Sequence, residues 1–310
     1  MSRRWAVILA GGDGVRLRSM TRAIAGDDRP KQFCPLVGPD ALLTETRRRA
    51  ARVAPAHRTL VVVNRAHERF YTPLLADLRV RALAPQPENR GTAPGILYAL
   101  LVLAGRQAAG DTVAFLPSDH FVSDEAAFMG QVAQAFGGCA RRPDLVSLLG
   151  ITPDRAEAGY GWIEPGDPVA GADGSGLREV RRFWEKPAAV DAERFRAQGW
   201  LWNSFVMVGR VSTLLALIRL SVPDLYRSFA ELASALGTVG EFAALERLYC
   251  GLPSVDFSRQ VLTARPDRLA VLPVRGVHWN DLGDPERVLA TRRWTRAMPM
   301  REPTLEPISA

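Results

Sequence analysis

The sequence predicts an α/β protein whose mixed, mostly parallel sheet is covered by helices on both faces. Short apolar runs alternate with helical patterns through residues 1–150, and this alternation is typical of a mostly parallel sheet. The first apolar run ends in a glycine cluster, which predicts a sharp turn with little side-chain bulk. The chain has 310 residues, of which 47% are hydrophobic, and this is enough for one large core or two domains.

The predicted strands and helices of this first half follow one another along the chain. Strands are expected at residues 5–9, 59–63, 80–84, 112–116 and 145–149. Helices are expected at residues 41–53, 66–77, 92–108 and 124–139. Ligands of such sheets bind beyond the carboxyl ends of the strands, so the residues that follow 5–9 and 112–116 are candidate site residues.

The second half of the chain has a different pattern. Glycine and proline become frequent between residues 150 and 210, where strands are expected at 180–183 and 201–205. Residues 211–250 predict two or three amphipathic helices whose aromatic and leucine positions belong to the core. A further helix is expected near 285–294, and the proline-containing tail, 296–310, is predicted to be disordered or loosely docked.

Composition argues against several classes of protein. No apolar run reaches the ~18 residues expected of a membrane span, and the first residues lead into a strand without the apolar stretch of a secretory signal. The three cysteines are scattered, without CxxC spacing, which argues against a zinc site or a disulfide framework and fits a reducing compartment. We therefore expect a cytoplasmic protein that is not bound to a membrane.

The net charge of +7 raises the possibility of a nucleic-acid partner. However, the basic residues are spread along the chain, and the short cluster Arg47-Arg48-Arg49 is expected on a solvated helix face. No basic stripe with interleaved aromatic residues occurs, as a nucleic-acid groove would require. We expect no such partner, and salt-dependent DNA binding would support the alternative.

Residues 9–17, Leu-Ala-Gly-Gly-Asp-Gly-Val-Arg-Leu, predict a loop that binds a polyphosphate. Successive backbone N–H groups in such a turn form an anion cradle, and Arg16 and Lys31 add positive charge. The dinucleotide fingerprint requires a third glycine where Leu17 stands, and the GxxxxGK loop followed by Ser or Thr is absent. Lys31 and Lys186 are the only lysines among 40 Lys and Arg residues, which suggests sites shaped for an ammonium group.

The loop and the later Arg29-Pro30-Lys31 resemble the signature of the sugar-1-phosphate nucleotidylyltransferases, LAGGxGxRL followed by Pro-Lys. The form of the motif is most similar to the mannose-1-phosphate guanylyltransferase branch. The resemblance implies a Rossmann-like sheet of the nucleotide-diphospho-sugar transferase type. It also implies a catalytic domain over 1–295, with nucleotide binding in about 1–150 and sugar-phosphate binding in about 151–295. No hexapeptide repeat follows Asp281, so no C-terminal β-helix is expected.

Two further segments resemble the family's nucleotide site. In Gln86-Pro87-Glu88-Asn89-Arg90-Gly91-Thr92, the resemblance implies that Gln86 and Gly91 contact the base, and Thr92 can cap the next helix. Asp119 follows a predicted strand and is a natural Mg²⁺ ligand. His120 is expected to be structural, because phosphoryl transfer needs positioning and charge neutralisation more than a general base.

The residues that resemble the family's sugar-phosphate site lie in the second half of the chain. Glu185 and Asn203 can hydrogen-bond sugar hydroxyls, and Lys186 can hold the sugar's phosphate. Asp281, within Trp279-Asn280-Asp281-Leu282-Gly283, would be the second carboxylate on magnesium. Residues 18–29 depart from the family pattern, and we expect them to form a mobile flap over the nucleotide that becomes ordered with the triphosphate.

The site residues implied by the resemblance fall into four sets. The catalytic set is Arg16, Lys31, Asp119, Lys186 and Asp281. The nucleotide-binding set is Leu9, Gly11, Gly12, Gly14, Arg16, Lys31, Gln86, Gly91, Thr92 and Asp119. The sugar-phosphate set is Gly161, Glu185, Lys186 and Asn203, and the metal set is Asp119 and Asp281.

The implied activity is transfer of a nucleotidyl group from GTP to mannose 1-phosphate, with Mg²⁺ as cofactor and in-line attack on the α-phosphorus. The alternatives are another nucleotide or hexose 1-phosphate, or a catalytically silent regulatory subunit that binds sugar nucleotides. A homodimer is an expectation at the level of the family.

Overall fold

A single nine-stranded sheet organises the chain in the computed structural model, which describes residues 2–297. Most of the predicted tail, 298–310, lies outside the described residues. The order of the strands across the sheet is β3-β2-β1-β4-β9-β6-β10-β8-β7. These strands are β1 (Arg4–Ala10), β2 (Thr59–Asn64), β3 (Leu83–Gln86), β4 (Thr112–Pro117), β6 (Val146–Ile151), β7 (Gly161–Pro168), β8 (Arg178–Glu185), β9 (Leu201–Arg210) and β10 (Leu269–Val274). A separate two-stranded sheet pairs β5 (Phe121–Val122) with β11 (Trp279–Asn280).

The pairings between strands confirm a mixed, mostly parallel sheet. Strands β3, β2, β1 and β4 are parallel neighbours, and β6 and β10 form another parallel pair. Only β8 and β9 run against the other seven, since each is antiparallel to its neighbours. Within residues 2–297 the strands belong to these two sheets, and none of them forms a β-helix.

Helices cover both faces of the large sheet, as predicted. They are α1 (Arg18–Ala25), α2 (Leu42–Ala50), α3 (Glu68–Tyr71), α4 (Thr92–Gly105), α5 (Glu125–Arg141), α6 (Ala189–Ala197), α7 (Val211–Ser221), α8 (Pro223–Ser228), α9 (Ala230–Ala235), α10 (Glu241–Cys250) and α11 (Pro285–Ala297). Alternate residues of β1 point to opposite faces: Ile8 packs in the core cluster with α2 and α5, and Val7 packs in the cluster with α4 and α7. None of these helices is both long and apolar enough to cross a membrane.

Two predicted elements are placed differently in the structure. Residues 80–82 form a 3₁₀ turn, and the strand is shifted to Leu83–Gln86. It contains Pro85, which is tolerated because β3 lies at the edge of the sheet. The predicted helix 66–77 is reduced to α3, which ends just before Thr72-Pro73. Thr72 keeps helical backbone angles, but Pro73 has no N–H with which to continue the helical hydrogen bonds.

Further details correct the sequence analysis. Arg49 is buried rather than solvated; its guanidinium donates to Thr46 Oγ1 and to the His120 carbonyl. The N-cap of α4 is Gly91, and Thr92 provides no side-chain cap. The two or three helices expected in residues 211–250 are four, α7 to α10. Leu220 and Phe242 of these helices are 51% and 50% exposed, so not all leucine and aromatic positions there belong to the core. Residues 18–25 are helical in α1, while the expected ordering of 18–29 by a triphosphate stays a prediction.

The topology brings both halves of the chain to one edge of the sheet. The parallel strands β1, β3 and β4 all end at this edge, so Gly11, Gln86 and Asp119 lie at or just beyond neighbouring strand ends. Strand β9 is inserted between β4 and β6 and places Asn203 opposite Gly150. The pairing of β7 with β8 places Gly161 opposite Glu185. The predicted site therefore draws on strands from both halves.

Candidate active site

A cavity of about 370 Å³ opens at this edge of the sheet. Its walls come from the glycine loop, the segment after β3, the end of β4 and the strands β7, β8 and β9. The residues of the predicted sets that line it are Leu9, Gly11, Gly12, Gln86, Gly91, Thr92, Asp119, Gly161, Glu185, Asn203 and Asp281. Most of the predicted nucleotide and sugar residues thus surround one cavity.

The glycine loop is held against the chain that carries Lys31. Buried Gln32 donates from Nε2 to the carbonyl of Ala10 at 3.0 Å and to that of Gly12 at 2.7 Å. Gly14 has φ +60°, and a Cβ there would lie 2.9 Å from the Lys31 backbone nitrogen. The loop therefore requires glycine at this position, although Gly14 supports the cavity from outside its lining.

The small sheet explains why two distant aspartates meet. Pairing of β5 with β11 is antiparallel and sets Phe121 opposite Asn280, so Asp119, just before β5, and Asp281, just after β11, lie at the same end of this short ladder. Lys31 Nζ bridges them, 3.2 Å from Asp119 Oδ2 and 2.6 Å from the Asp281 carbonyl oxygen. One ammonium group therefore contacts both segments beside the cavity.

The carboxylate of Asp281 is oriented through one of its oxygens. Oδ1 accepts hydrogen bonds from Arg287 Nη1 at 2.8 Å, from Tyr160 Oη at 3.1 Å and from the Gly283 N–H at 2.9 Å. Oδ2 accepts none from residues 2–297. Burial alone would raise the pKa of Asp281, but Lys31 and Arg287 outweigh it and lower that pKa. Asp281 is therefore an ionised carboxylate with one oxygen left for a ligand.

Arg287 ties this carboxylate to the neighbouring loops. Its guanidinium also contacts Glu157 at 2.7 Å and Asp284 at 3.1 Å, and it lies over the Tyr160 ring, 4.6 Å from the centroid. The side chain is only 13% exposed. Such a planar fork can satisfy several carboxylates at once, so Arg287 fixes the segment that presents Asp281.

His120 packs beside Asp119. Its ring meets the Trp279 ring edge-on at 5.0 Å between centroids, and Nε2 lies 3.5 Å from Asp119 Oδ1. Burial lowers the pKa of His120 to about 4 against the opposing effect of Asp119, so the ring is neutral near neutral pH. The structural role expected for His120 agrees with this packing and stays a prediction.

The segment from Gln86 to Thr92, which is predicted to contact the base, is held by residues 255–257. The N–H of Val255 donates to the Arg90 carbonyl, and the Val255 carbonyl accepts from the Ala93 N–H. Gly91 has φ +86°, and a Cβ there would lie 2.4 Å from the Val255 carbonyl oxygen. The hydroxyl of Thr92 accepts from the Phe257 N–H at 2.8 Å, so it joins the two segments instead of capping α4.

The sugar side of the cavity is tightly packed. A Cβ on Gly161 would lie 2.7 Å from Glu185 Oε2, and Asn203 Oδ1 accepts from the Phe205 N–H at 3.0 Å. Within residues 2–297 the amide nitrogen of Asn203 has no hydrogen-bond partner, and Asn203 lines the cavity. Burial and nearby Asp256 raise the pKa of Glu185.

The three predicted cations Arg16, Lys31 and Lys186 lie outside the cavity lining, although Lys31 contacts Asp119, which belongs to it. Lys186 is 55% exposed, with Nζ 3.7 Å from Glu185 Oε1, so it is next to a residue of the cavity wall. Arg16 is exposed in the 3₁₀ turn Val15–Leu17 that follows the glycine loop. Their assignment to phosphate groups stays a prediction.

The sequence analysis missed several residues that shape the site. Gln32 is next to the recognised Lys31, and its position in the motif could have drawn attention to it. Tyr160 lies in the Gly159–Gly161 segment, whereas Arg287 is one of many arginines in the chain and gives no signal. These three residues act by holding other groups, and this role has no sequence pattern of its own.

A cavity lined by a glycine loop, by the segment that is predicted to contact a base and by two aspartates is the arrangement expected of a nucleotidyl transferase. The family model described as nucleotidyl transferase matches residues 5–294, and the chain belongs to this family. The family predicted from the glycine loop is thereby confirmed.

Two curated proteins are similar to most of this chain. Xanthan biosynthesis protein XanB of Xanthomonas campestris pv. campestris (strain B100) is 35% identical over 281 residues, which cover 89% of this chain and 57% of that protein. Mannose-1-phosphate guanylyltransferase of Escherichia coli (strain K12) is 30% identical over 289 residues, 91% of this chain and 58% of that protein. The chain thus spans a little over half the length of these curated relatives.

A solved structure shows the same fold. The crystal structure of mannose-1-phosphate geranyltransferase from Thermus thermophilus is similar to this chain with a TM-score of 0.79 and 28% identity. The similarity covers 93% of this chain and 79% of that one. The nucleotide-diphospho-sugar transferase type of fold is therefore confirmed.

Proposed function

We propose that this chain transfers the guanylyl group of GTP to mannose 1-phosphate, giving GDP-mannose and pyrophosphate. The observation that carries the proposal is that one cavity is lined by the glycine loop, by residues of the segment 86–92, by strands β7, β8 and β9, and by Asp119 and Asp281. The name of the Escherichia coli relative supports the choice of GTP and mannose 1-phosphate. We place nucleotide binding in about residues 1–150, sugar-phosphate binding in about 151–295 and the activity in the cytoplasm.

The residues at the aspartate end fit a magnesium ion. Mg²⁺ is commonly bound through one or two carboxylates together with substrate phosphates, and Asp281 Oδ2 has no hydrogen-bond partner within residues 2–297. No group of three or more His, Cys, Asp or Glu residues in that range could hold a metal alone, so phosphate oxygens and water would complete the ligands. When bound, the ion neutralises charge on the reacting phosphates.

Lysine and arginine side chains are assigned to the negative charge of the substrate phosphates that the metal ion does not neutralise. Lys31, anchored between Asp119 and the Asp281 backbone, is placed to stabilise the triphosphate and the leaving pyrophosphate. Arg16 adds charge at the exposed end of the glycine loop. Lys186 and Glu185 are assigned to the sugar phosphate and its hydroxyls, with Lys186 positioning the attacking phosphate oxygen. That oxygen is already anionic near neutral pH, so the transfer requires no general base.

Pyrophosphate release measured across four nucleoside triphosphates and several hexose 1-phosphates tests the proposal. We expect the highest kcat/KM with GTP and mannose 1-phosphate, dependence on Mg²⁺, and GDP-mannose as the product by mass spectrometry. Highest activity with another pair would contradict the assigned substrates while keeping the chemistry. No turnover with any pair, despite binding of a sugar nucleotide, would favour the silent regulatory subunit.

A further inference from the structure

The hydroxyl group of Tyr249 in helix α10 contacts Gln86, which is predicted to bind the base. Tyr249 is 1% exposed and lies in the core, as expected for aromatic residues of 211–250. Its Oη donates a hydrogen bond to Gln86 Oε1 at 2.9 Å. Burial raises the pKa of Tyr249, so the hydroxyl stays protonated and able to donate. A core residue thus contacts the side chain assigned to the nucleobase.

The other end of the Gln86 amide faces the cavity. Gln86 is 4% exposed, and its Nε2 has no hydrogen-bond partner within residues 2–297. A Cβ on Gly11 would lie 2.8 Å from Nε2, and one on Gly95 would lie 3.0 Å from both Nε2 and Oε1. Both glycines line the cavity together with Gln86, so they leave room for an amide donor at its wall.

We propose that Tyr249 is a positioning residue that holds the Gln86 amide with Nε2 toward the cavity, and thereby selects a base with a carbonyl oxygen over one with an amino group. The inference rests on the proposed nucleotide site and deepens it by assigning its base specificity. Tyr249 does not line the cavity, and it acts through Gln86.

The physical basis is the two-sided character of an amide. Gln carries an acceptor and a donor group that exchange places when the amide rotates by half a turn. The Tyr249 hydroxyl donates to Oε1, which leaves the Nε2 donor for the ligand. In the rotated amide Nε2 would donate to the Tyr249 oxygen, and the buried hydroxyl proton would have no acceptor within residues 2–297, which costs free energy. Guanine offers the O6 acceptor at the position where adenine carries the N6 amino donor. A fixed donor therefore pairs with guanine, whereas adenine would leave two donors facing each other.

Calorimetric binding of GTP and ATP to the full chain, in wild-type and Tyr249→Phe forms, tests the inference. Wild type is expected to bind GTP more tightly than ATP. In Tyr249→Phe the amide loses its orienting partner, so we expect the GTP-to-ATP affinity ratio to fall roughly five- to tenfold, as expected for loss of one hydrogen bond. Wild-type preference for ATP, or no binding of either nucleotide, would overturn the inference.

Tyr98→Phe is the matched control. Tyr98 is also a buried tyrosine, and its hydroxyl donates to Glu241 Oε1 at 2.6 Å, at the other end of α10. Its removal costs a comparable buried hydrogen bond without touching Gln86. The affinity ratio should therefore stay at the wild-type value in Tyr98→Phe; an equal fall in both variants would make Tyr249 merely structural and overturn the inference.

The Gln86→Ala background separates positioning from general loosening. If Tyr249 acts through the amide, adding Tyr249→Phe to Gln86→Ala should change the GTP-to-ATP affinity ratio by less than twofold. The amide that Tyr249 orients is already absent from this background, so the effects of the two substitutions should not add. If the GTP-to-ATP affinity ratio fell in the double variant as much again as in Tyr249→Phe alone, the inference would be contradicted. Because these are binding measurements, failure of the proposed transfer reaction would appear separately, as absence of pyrophosphate release from a wild type that still prefers GTP.

Discussion

The two ends of the cavity use different physical means. At the aspartate end, Lys31 and Arg287 hold Asp119 and Asp281 through charge-assisted contacts. At the base end, the Tyr249 hydroxyl and the Val255 backbone hold Gln86 and Gly91 through neutral hydrogen bonds and close packing.

The difference indicates how each end is expected to respond to change. Charged groups near reacting phosphates act on the transition state, where interactions are worth most. Neutral contacts in a packed wall determine which ligand fits and how firmly the wall is held. Substitutions at the aspartate end should therefore change turnover, and those at the base end should change binding and stability.

Asp281→Asn is expected to have the largest effect. Asparagine retains a carbonyl oxygen for Arg287, Tyr160 and Gly283 but replaces the free oxygen with an amide that cannot bind a cation. We expect turnover to fall about 10³-fold with little change in unfolding, measured by pyrophosphate release and urea denaturation. Asp267→Asn, an exposed aspartate paired with Arg265, is the control for loss of one negative charge. Normal turnover in Asp281→Asn would contradict the metal assignment.

Lys186→Ala should lower turnover about 10²-fold, because the phosphate of the sugar substrate would lose its cation. Lys186→Arg should restore little of the loss if the site is shaped for a compact ammonium. Kinetics with varied mannose 1-phosphate provide the measurement. Arg182→Ala removes an exposed cation of the neighbouring strand β8 that pairs with Glu164 at 2.7 Å, and it should leave turnover unchanged. A near-normal Lys186→Ala enzyme would reject the assigned role.

Gly91→Ala tests the packed wall at the base end. The left-handed backbone costs a non-glycine residue about 1–3 kcal/mol, and the new methyl group would also meet the Val255 carbonyl oxygen. We expect a loss of unfolding free energy larger than in Gly199→Ala, together with weaker GTP binding. Gly199 has φ +75° and nothing within 4 Å of its added Cβ, so it measures the cost of a side chain at positive φ without a new contact. Equal losses in urea denaturation would show that the contact with Val255 is unimportant.

Glu185→Gln is expected to have the smallest effect, on the pH dependence of stability. Because the pKa of Glu185 is raised in the folded state, the folded protein holds this proton more tightly than the unfolded chain. Its contribution to stability therefore falls as pH rises from the ordinary glutamate pKa through the raised one. Urea denaturation of Glu185→Gln should show a shallower fall across that range, whereas Glu179→Gln, on an exposed residue of the same strand, should follow wild type. If the stability of Glu185→Gln changed with pH as it does in wild type, the raised pKa of Glu185 would be contradicted.

Part of the site was predictable because it depends on local pattern. The glycine loop, Gln86 and Asp119 follow strand ends that hydrophobic runs reveal, and parallel strands place such ends together. The helix expected at 66–77 is shorter in the structure, because Pro73 interrupts its hydrogen bonds. Arg49 was misplaced because a run of arginines on a helix does not reveal which one faces the core.

The sequence by itself determined the α/β class, the polyphosphate loop and the family, since these depend on the order and spacing of residues close together in the chain. Only the tertiary structure decided that Arg287 orients Asp281 and that Tyr249 contacts Gln86, 163 positions away along the chain. The physical reason is that such contacts depend on which side chains meet across packed elements. Local propensity and motif spacing carry no information about those distances.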